Sequence, residues 1–455
     1  MEISYKSTIF APRNISIFLK MNLYKNAVAF ALMCLMVMLG SVSVAQNLNT
    51  SNLSHSPYNR YGYGRMGSLG NAVTHSMGDV GVAIRSNTYT NVANPASLTA
   101  IDTLTMIFSV GLDGQYATFR ENDITEHSTD AGFSYMSFHF PLWRNFAMSL
   151  SLSPYSMVGY YYGGKQKQPI DSSVNKNDTL TLSSAYSGVG GINNMMMGIG
   201  WRLMHTKMNE ASFGMNFGFL FGSIEHDAML TTSQQATGTY VSHQMDAKGF
   251  MLGMGLQYTH RMNATKAFTL GATFQPQMNL SVDTHEMKYS TDTVQVNDHF
   301  RSDIKQPMKV GVGFSYEIYR KLTLSAEYEL TQWSKVKGFN ADMLSEEGLF
   351  DDVHRLSIGA EYLPKVASRN YLQTCRYRVG FSTRNNYIRV KEASLREYML
   401  NAGMSLPVNR RSAIDLGIGY TLLQPSEGSM VKENYLTFTL GVTFNEMMFF
   451  RNKLR

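Results

Sequence analysis

The stretch Glu397–Phe444, EYMLNAGMSLPVNRRSAIDLGIGYTLLQPSEGSMVKENYLTFTLGVTF, decides the fold of this chain. It contains three segments, 398–406, 414–422 and 436–444, in which mostly large apolar residues alternate with mostly small or polar ones. A period of two is the period of a β-strand, because successive side chains point to opposite faces. One apolar and one polar face suit a strand with lipid on one side and a wet lumen on the other. The alternative is a soluble sandwich strand that buries its apolar face.

The same alternation recurs through most of the chain, which favours the membrane alternative over the sandwich. Fourteen segments show it: 104–112, 132–140 (more weakly), 146–152, 195–203, 213–221, 250–258, 268–274, 308–316, 322–330, 356–362, 377–381, 398–406, 414–422 and 436–444. Bacterial single-chain barrels use an even number of strands. The sequence therefore predicts an all-β fold, a transmembrane antiparallel β-barrel of about 14 strands, over residues 101–455.

The breaks between these segments alternate in length, as barrel connections do. Those near 142–145, 205–210, 261–266, 318–321 and 407–411 are short, and the one at 364–373 is moderate. The intervening breaks, at 165–186, 231–240, 286–298, 334–352 and 424–433, are longer and more polar. Short turns are expected on the periplasmic side and longer loops outside. Six aromatic residues at predicted periplasmic strand ends predict an interfacial girdle: Trp143, Tyr258, Tyr316, Tyr319, Tyr362 and Tyr377.

Composition agrees with a barrel and excludes other classes. Only 16% of the 455 residues are charged, against about a quarter in soluble domains. No apolar run after residue 45 is long enough to cross a bilayer as a helix. The net charge of +6 is dispersed along the sequence without a Lys/Arg-rich run. We therefore expect no nucleic-acid partner.

Residues 21–45 have the organisation of a signal peptide. Lys25 supplies the positive region, an apolar run follows from Ala27 to about Val42, and small residues precede Ala45. A membrane anchor is the alternative, for which the run is short. Residues 1–20 have no place in such a signal, which suggests that they are a mis-annotated extension and that translation starts at Met21. Cleavage removes Cys34 and leaves Cys375 alone, so no intramolecular disulfide is expected.

Cleavage after Ala45 is directly testable. Amino-terminal sequencing of the mature protein from its native membrane should begin at Gln46, because Ser43-Val44-Ala45 fits the small-x-small pattern of signal peptidase sites. A mature protein that still carries residues 27–42 would instead indicate an anchor.

Residues 46–100 lack strand alternation and are rich in glycine and turn residues. They end in Asn94-Pro95-Ala96 just before the first predicted barrel strand. The segment is too apolar and aromatic for a disordered tail. We predict that it is a plug inside the lumen, with a periplasmic extension as the alternative.

Several charged residues occupy the alternate strand positions whose side chains are predicted to point into the lumen. They are Arg202, Lys309, Glu317, Glu327, Glu329, Arg355, Glu361, Arg376, Arg378, Arg384 and Asp415. Facing lipid, a Lys or Arg would cost about 2–4 kcal/mol near the bilayer midplane. We expect these groups to pair across strands or to hold the plug.

A catalytic function has weak support in the sequence. Glu327 and Glu329 share a strand face, as the two carboxylates of a catalytic acid–base pair would. Arginines on the following strands, however, can form ordinary ion pairs with them. The chain contains neither Gly-x-Ser-x-Gly nor His-Glu-x-x-His. We expect a protein that is not an enzyme, without catalytic residues and without a cofactor or metal.

Four elements together resemble the FadL-type outer-membrane transport proteins in the form found in Bacteroidota. They are Ser56-Pro57-Tyr58-Asn59-Arg60-Tyr61-Gly62, Met77-Gly78-Asp79-Val80-Gly81-Val82-Ala83, Asn94-Pro95-Ala96-Ser97-Leu98 and Asn445-Glu446-Met447-Met448-Phe449-Phe450-Arg451. The resemblance implies an outer-membrane barrel plugged by its N-terminal segment. It also implies passive uptake of long-chain fatty acids or other hydrophobic molecules, which leave laterally through a gap in the wall.

The same fold also occurs in accessory barrels that bind proteins. In Bacteroidota one type carries cargo in type IX secretion, and another belongs to outer-membrane assembly complexes. The resemblance thus leaves two functions open: uptake of a hydrophobic small molecule, and docking of outer-membrane or surface protein partners. A plain porin-like barrel is a third. Outer-membrane lipid is an expected partner in each case.

Overall fold

A computed structural model describes residues 55–169, 179–232, 235–290, 293–336, 350–390, 393–409, 411–426 and 430–447. These residues form a short strand, β1 (Arg65–Met66), and sixteen barrel strands. The barrel strands are β2 (Thr105–Glu121), β3 (Ile124–Trp143), β4 (Phe146–Pro169), β5 (Thr179–His205), β6 (Asn209–Thr232), β7 (Gln235–Arg261), β8 (Lys266–Gln275), β9 (Asn279–Ser290), β10 (Thr293–Lys305), β11 (Met308–Ile318), β12 (Leu322–Gln332), β13 (Val353–Tyr362), β14 (Arg376–Val390), β15 (Ala393–Pro407), β16 (Ala413–Pro425) and β17 (Lys432–Met447).

The sheet is antiparallel and closes on itself. The last strand, β17, pairs with the first barrel strand, β2, from Lys432 opposite Arg120 to Met447 opposite Thr105. Strands β8 and β9 lie end to end beside β7 and share one position in the wall. Strands β10 and β11 share the next position in the same way. The sixteen strands therefore occupy fourteen positions, and the predicted all-β antiparallel barrel of about fourteen strands with an N-terminal plug is confirmed.

Two prolines interrupt the wall at one place. Lys309 pairs with Gln275 and Lys305 pairs with Asn279, so the register is the same on both sides of the gap. Pro276 and Pro307 lie between these pairs. Because proline has no backbone N–H to donate, the ladder lapses there. Apart from the bond from the Gln306 N–H to the Met278 carbonyl, 2.8 Å, the described residues show no backbone bond across the gap.

One side of the barrel is much taller than a membrane requires. Strands β4 to β7 contain 24 to 27 residues each, whereas about 9–11 residues span a bilayer. On the outer face of β7, Phe250 is exposed, and the next outward residues, Lys248, Asp246 and Gln244, are polar. We call the part of β4–β7, β9 and β10 beyond this change the tall wall.

The predicted long loops at 165–186, 231–240 and 286–298 are wrong in part. Strand β4 continues to Pro169 and β5 begins at Thr179. Likewise, β6 continues to Thr232 and β7 begins at Gln235, while β9 and β10 occupy most of 286–298. Outward side chains of the tall wall include polar ones such as Lys248 and Asp246, so the contrast between apolar and polar faces on which the prediction depends is weaker there.

The other end of the barrel, here the turn end, carries five short connections, one of moderate length, and exposed aromatic residues. Trp143, Tyr258, Tyr319, Tyr362 and Tyr377 are exposed at strand ends. Tyr316, also expected in the girdle, is half-buried. The aromatic residues mark the height at which the barrel leaves the apolar layer on this side.

Residues 55–100 lie inside the barrel and form the plug. The plug contains 3₁₀-helices at Pro57–Arg60 and Pro95–Ala100 and one turn of α-helix, Ala72–His75. Among the described residues no helix is both long and apolar enough to span a membrane. The predicted signal peptide, its cleavage between Ala45 and Gln46, and plug residues 46–54 lie outside the described residues.

Candidate functional site

The interface between the plug and the wall is the candidate functional site, because it occupies the lumen through which a transported molecule would pass. Glycines of the wall let the plug backbone approach closely. A Cβ atom built on Gly214 would lie 2.4 Å from the carbonyl carbon of Pro95. On Gly271 it would lie 2.1 Å from the Val82 carbonyl oxygen. The small residues on the lumen face thus form a seat for the plug.

The Asn94-Pro95-Ala96 element holds the end of the plug against the barrel wall. Asn94 is fully buried and caps the 3₁₀-helix, since its side-chain oxygen accepts the N–H of Ala96. Its amide donates to the carbonyls of Val82, 2.7 Å away within the plug, and Leu256, 3.2 Å away on β7. One side chain therefore ties two plug segments to the barrel.

Glu327 makes a direct anchor between wall and plug. One of its carboxylate oxygens accepts the backbone N–H groups of Gly81, at 2.7 Å, and Val82, at 2.8 Å. The other accepts from the guanidinium of Arg355, also at 2.7 Å. Arg355 reaches Glu329 at 3.3 Å, and Lys309 lies 2.9 Å from the same carboxylate. Both carboxylates of the sequence-predicted pair are thus engaged by cations.

The other lumen charges expected from the sequence form two further groups. Arg202 lies 2.9 Å from Glu210, which also binds Arg85 of the plug at 2.7 Å. Farther round, Glu361 binds both Arg376 at 2.6 Å and Arg378 at 2.7 Å.

The second group extends to the neighbouring strand and to the plug. Arg378 lies 3.6 Å from Asp415 and above the ring of Tyr89, a plug residue. Arg384 pairs with Glu397 at 2.8 Å. Glu317 has no ion-pair partner among the described residues.

Sequence reasoning missed several residues of this interface. Arg85 lies in the plug, and Glu210 and Glu433 lie at the ends of predicted connections rather than in alternating segments. Glu433 is buried and accepts a hydrogen bond of 2.6 Å from Ser56. Because these residues lie outside the alternating segments, the sequence does not show whether their side chains point into the lumen. The structure shows it.

A half-buried ion pair orders the centre of the plug. The Nδ1 atom of His75 lies 2.5 Å from the carboxylate of Asp79. Burial would lower the pKa of His75, but the Asp79 charge and its hydrogen bond outweigh burial and raise that pKa to about 9. The pKa of Asp79 is lowered: burial alone would raise it, and the His75 charge opposes burial. The pair is therefore charged at neutral pH.

Beyond the plug, toward the tall wall, an apolar cluster fills the lumen. It combines side chains of β4–β7, β9, β10 and β14 with Tyr63 of the plug and Trp333 after β12. Trp333 stacks on Tyr387 with ring centroids 4.2 Å apart. The Tyr387 hydroxyl accepts the N–H of Tyr63 and donates to the carbonyl of Gly64. We call this group the outer cluster.

A cavity of about 180 Å³ remains between the plug and the wall. Part of its lining is charged and includes Glu327, Arg355 and Lys309. Near the interruption of the wall the lining changes to Phe274 and Pro307. No group of three or more metal-ligating side chains is found in the described parts of the chain.

Comparison with known proteins agrees with this architecture. A family model described as BamG matches residues 26–455. The chain belongs to the BamG family. No curated protein matches it. This BamG-family chain is also similar in structure to a Pseudomonas aeruginosa FadL homologue, with 10% identity, 84% of this chain and 99% of the other covered, and a TM-score of 0.54.

Two further solved structures have the same fold as this BamG-family chain. One is the CymD monoaromatic hydrocarbon channel, with 12% identity, a TM-score of 0.51, and 84% and 98% of the two chains covered. The other is the Ralstonia pickettii toluene transporter TbuX, with 15% identity, a TM-score of 0.50, and 82% and 97% covered. At these identities the likeness concerns the fold, a FadL-like barrel of the outer-membrane type.

Proposed function

We propose that this chain is a non-transporting outer-membrane barrel that docks protein partners on its tall wall, in outer-membrane protein assembly or in secretion. The observation that carries this proposal is the attachment of the plug to the wall around the lumen. Passive uptake, which the sequence favours first, requires the plug to shift.

The contacts that such a shift would break are buried and partly charged. On one side of the lumen Glu327 holds Gly81 and Val82. On another Glu210 holds Arg85, and on a third Asn401 donates to the His75 carbonyl at 2.7 Å. Breaking a buried charged pair costs about 3–5 kcal/mol. The wall therefore holds the plug as a fixed part of the barrel.

The tall wall supports the docking proposal from the outside. If the turn end faces the periplasm, as its short turns suggest, the tall wall stands outside the cell above the lipid. A water-exposed sheet of four adjacent long strands offers a surface on which a protein can rest. Membership of the BamG family supports the assembly branch of this proposal.

Hydrophobic uptake is the second candidate, favoured by the interruption at Pro276 and Pro307. The cavity reaches this interruption, and its volume is close to that of an engineered cavity of about 150 Å³ that binds benzene. Its charged lining near Glu327 counts against an apolar path.

A disulfide between plug and wall separates the two candidates. The hydroxyl oxygens of Thr90 in the plug and Ser137 on β3 lie 2.8 Å apart, so Thr90→Cys with Ser137→Cys brings two thiols near bonding distance. The matched control is Ser109→Cys with Thr443→Cys, two wall positions whose hydroxyl oxygens lie 3.0 Å apart. The control crosslinks β2 to β17 and leaves the plug free.

We expect the oxidised plug–wall variant to recover the same stoichiometric protein partner as the parent chain. The measurement is extraction of the tagged protein from its native outer membrane in mild detergent, followed by mass spectrometry of everything retained. Cells with and without this chain should take up labelled toluene and a labelled long-chain fatty acid at the same rate. Recovery of the barrel alone, with uptake lost in the plug–wall variant but retained in the control, would establish the transporter instead.

A further inference from the structure

Nine cationic residues, dispersed in the sequence, meet in one ring at the turn end of the barrel. They are Arg144, Lys207, Arg261, Lys266, Arg320, Lys321, Lys365, Arg369 and Arg411. Each of the six connections at this end contributes at least one. The spans 144–145, 206–208, 261–266, 319–321, 363–375 and 408–412 contain no Asp or Glu.

Eight of these nine cations form no ion pair with the barrel among the residues that the structure describes. All are exposed except Arg411, which is half-buried. Arg261 lies 3.9 Å from Glu210. The other eight have no acidic partner in the described part of the chain. The six connections therefore present cations only, available to an anion outside the barrel, whereas the seam where β2 begins and β17 ends carries two exposed acidic residues, Asp102 and Glu446.

The connections at the opposite end do not share this pattern. The β2–β3 hairpin carries Arg120 together with Glu121 and Asp123, and the segment before β13 carries Asp351 and Asp352. The single sign is thus a property of the six turn-end connections and does not follow from the modest net charge of the chain.

Every connection of the ring also exposes an apolar side chain. Trp143, Met208, Met262, Tyr319, Val366 and Val408, one in or directly beside each connection, are between 49% and 73% exposed. Trp143 and Tyr319 belong to the aromatic girdle, and Arg144 and Arg320 directly follow them. At about 3.3 Å per residue, these cations lie within a few ångströms of the level at which the girdle meets the headgroups.

A cation beside an apolar side chain at this level is the arrangement that binds an anionic lipid surface. The apolar group enters the acyl boundary and the cation remains at the phosphate. The repetition in all six connections favours lipid over protein, because lipid surrounds a barrel on all sides whereas a protein partner covers one sector. We infer that the turn-end ring binds the phosphate groups of anionic phospholipids in the adjacent leaflet.

The test is lipid retention by the full-length barrel. One variant neutralises one cation in each connection: Arg144→Gln, Lys207→Gln, Lys266→Gln, Arg320→Gln, Lys365→Gln and Arg411→Gln. The matched control neutralises six exposed cations toward the other end: Arg120→Gln, Lys165→Gln, Lys288→Gln, Lys335→Gln, Arg396→Gln and Lys432→Gln. A third protein exchanges Lys and Arg at the six ring positions and keeps the charge. Heat-modifiable gel mobility verifies that each variant forms a barrel.

Each protein is released from vesicles of equal phosphatidylcholine and phosphatidylglycerol, and native mass spectrometry counts the lipids that stay bound. We expect the parent, the control and the exchanged protein to retain phosphatidylglycerol preferentially, and salt to weaken this retention. The neutralised ring should retain at least about tenfold less. Equal retention by the neutralised ring and the parent would overturn the inference. The inference would also be overturned if the neutralised ring retained as much lipid as the parent but no longer recovered an acidic protein from the native membrane extract.

Discussion

Replacing Glu327 by alanine is expected to release the middle of the plug while the barrel remains closed. The change removes the acceptor of two backbone N–H groups, those of Gly81 and Val82, and one of the two carboxylates that hold Arg355. Loss of one partner of a buried ion pair costs about 3–5 kcal/mol. When opening is fast relative to cleavage, proteolysis follows the population of the open state. Tryptic cleavage after Arg85 should therefore accelerate by about a hundredfold or more.

Two other variants determine whether the effect comes from the anchor. Glu327→Gln keeps an oxygen for the plug N–H groups but loses the charge opposite Arg355, so cleavage should be intermediate. Glu317→Ala removes a lumen-side glutamate of the neighbouring strand that has no ion-pair partner among the described residues, and cleavage should match the parent. If Glu327→Ala and Glu317→Ala are cleaved at the same rate, Glu327 does not hold the plug.

The sequence predicts the part of this fold that lies in lipid. There, one face of each strand meets acyl chains and the other meets the plug, so apolar and polar residues alternate strictly, as from Leu436 to Phe444. All fourteen predicted segments correspond to wall positions of the structure. The tall wall was not predicted in full, because outward residues such as Lys248 and Asp246 are as polar as loop residues.

The charged interface is predictable in residue type but not in partners. Strand phase places Glu327 and Arg355 on the lumen side, yet pairing depends on register, which joins Glu329 to Arg355 across β12 and β13. Contacts with the plug depend on how an irregular segment folds, and no period in the sequence reports that. Glu433 shows this limit, because its partner Ser56 is 377 residues away along the chain.

A single methyl group added to the wall where the plug rests should also have a large effect on the position of the plug. A Cβ atom on Gly380 of β14 would lie 2.0 Å from the carbonyl carbon of Met77 and 2.1 Å from the nitrogen of Gly78. Both atoms belong to the plug backbone, so no side-chain rotation relieves the contact. Overpacking of this kind costs about 1–3 kcal/mol, and more where neighbouring atoms cannot move. Gly380→Ala should therefore displace the plug around Met77 and increase tryptic cleavage after Arg85.

The matched control is Gly253→Ala on β7, also on the lumen face. Its added Cβ would meet only the Asn216 Cβ atom, at 3.5 Å, which is ordinary van der Waals contact. We expect its cleavage and heat-modifiable mobility to match the parent. If Gly380→Ala also matches the parent, the plug tolerates displacement at its closest contact with the wall. A plug that moves at little cost would favour passage through the lumen, and hydrophobic uptake would then become the better-supported function.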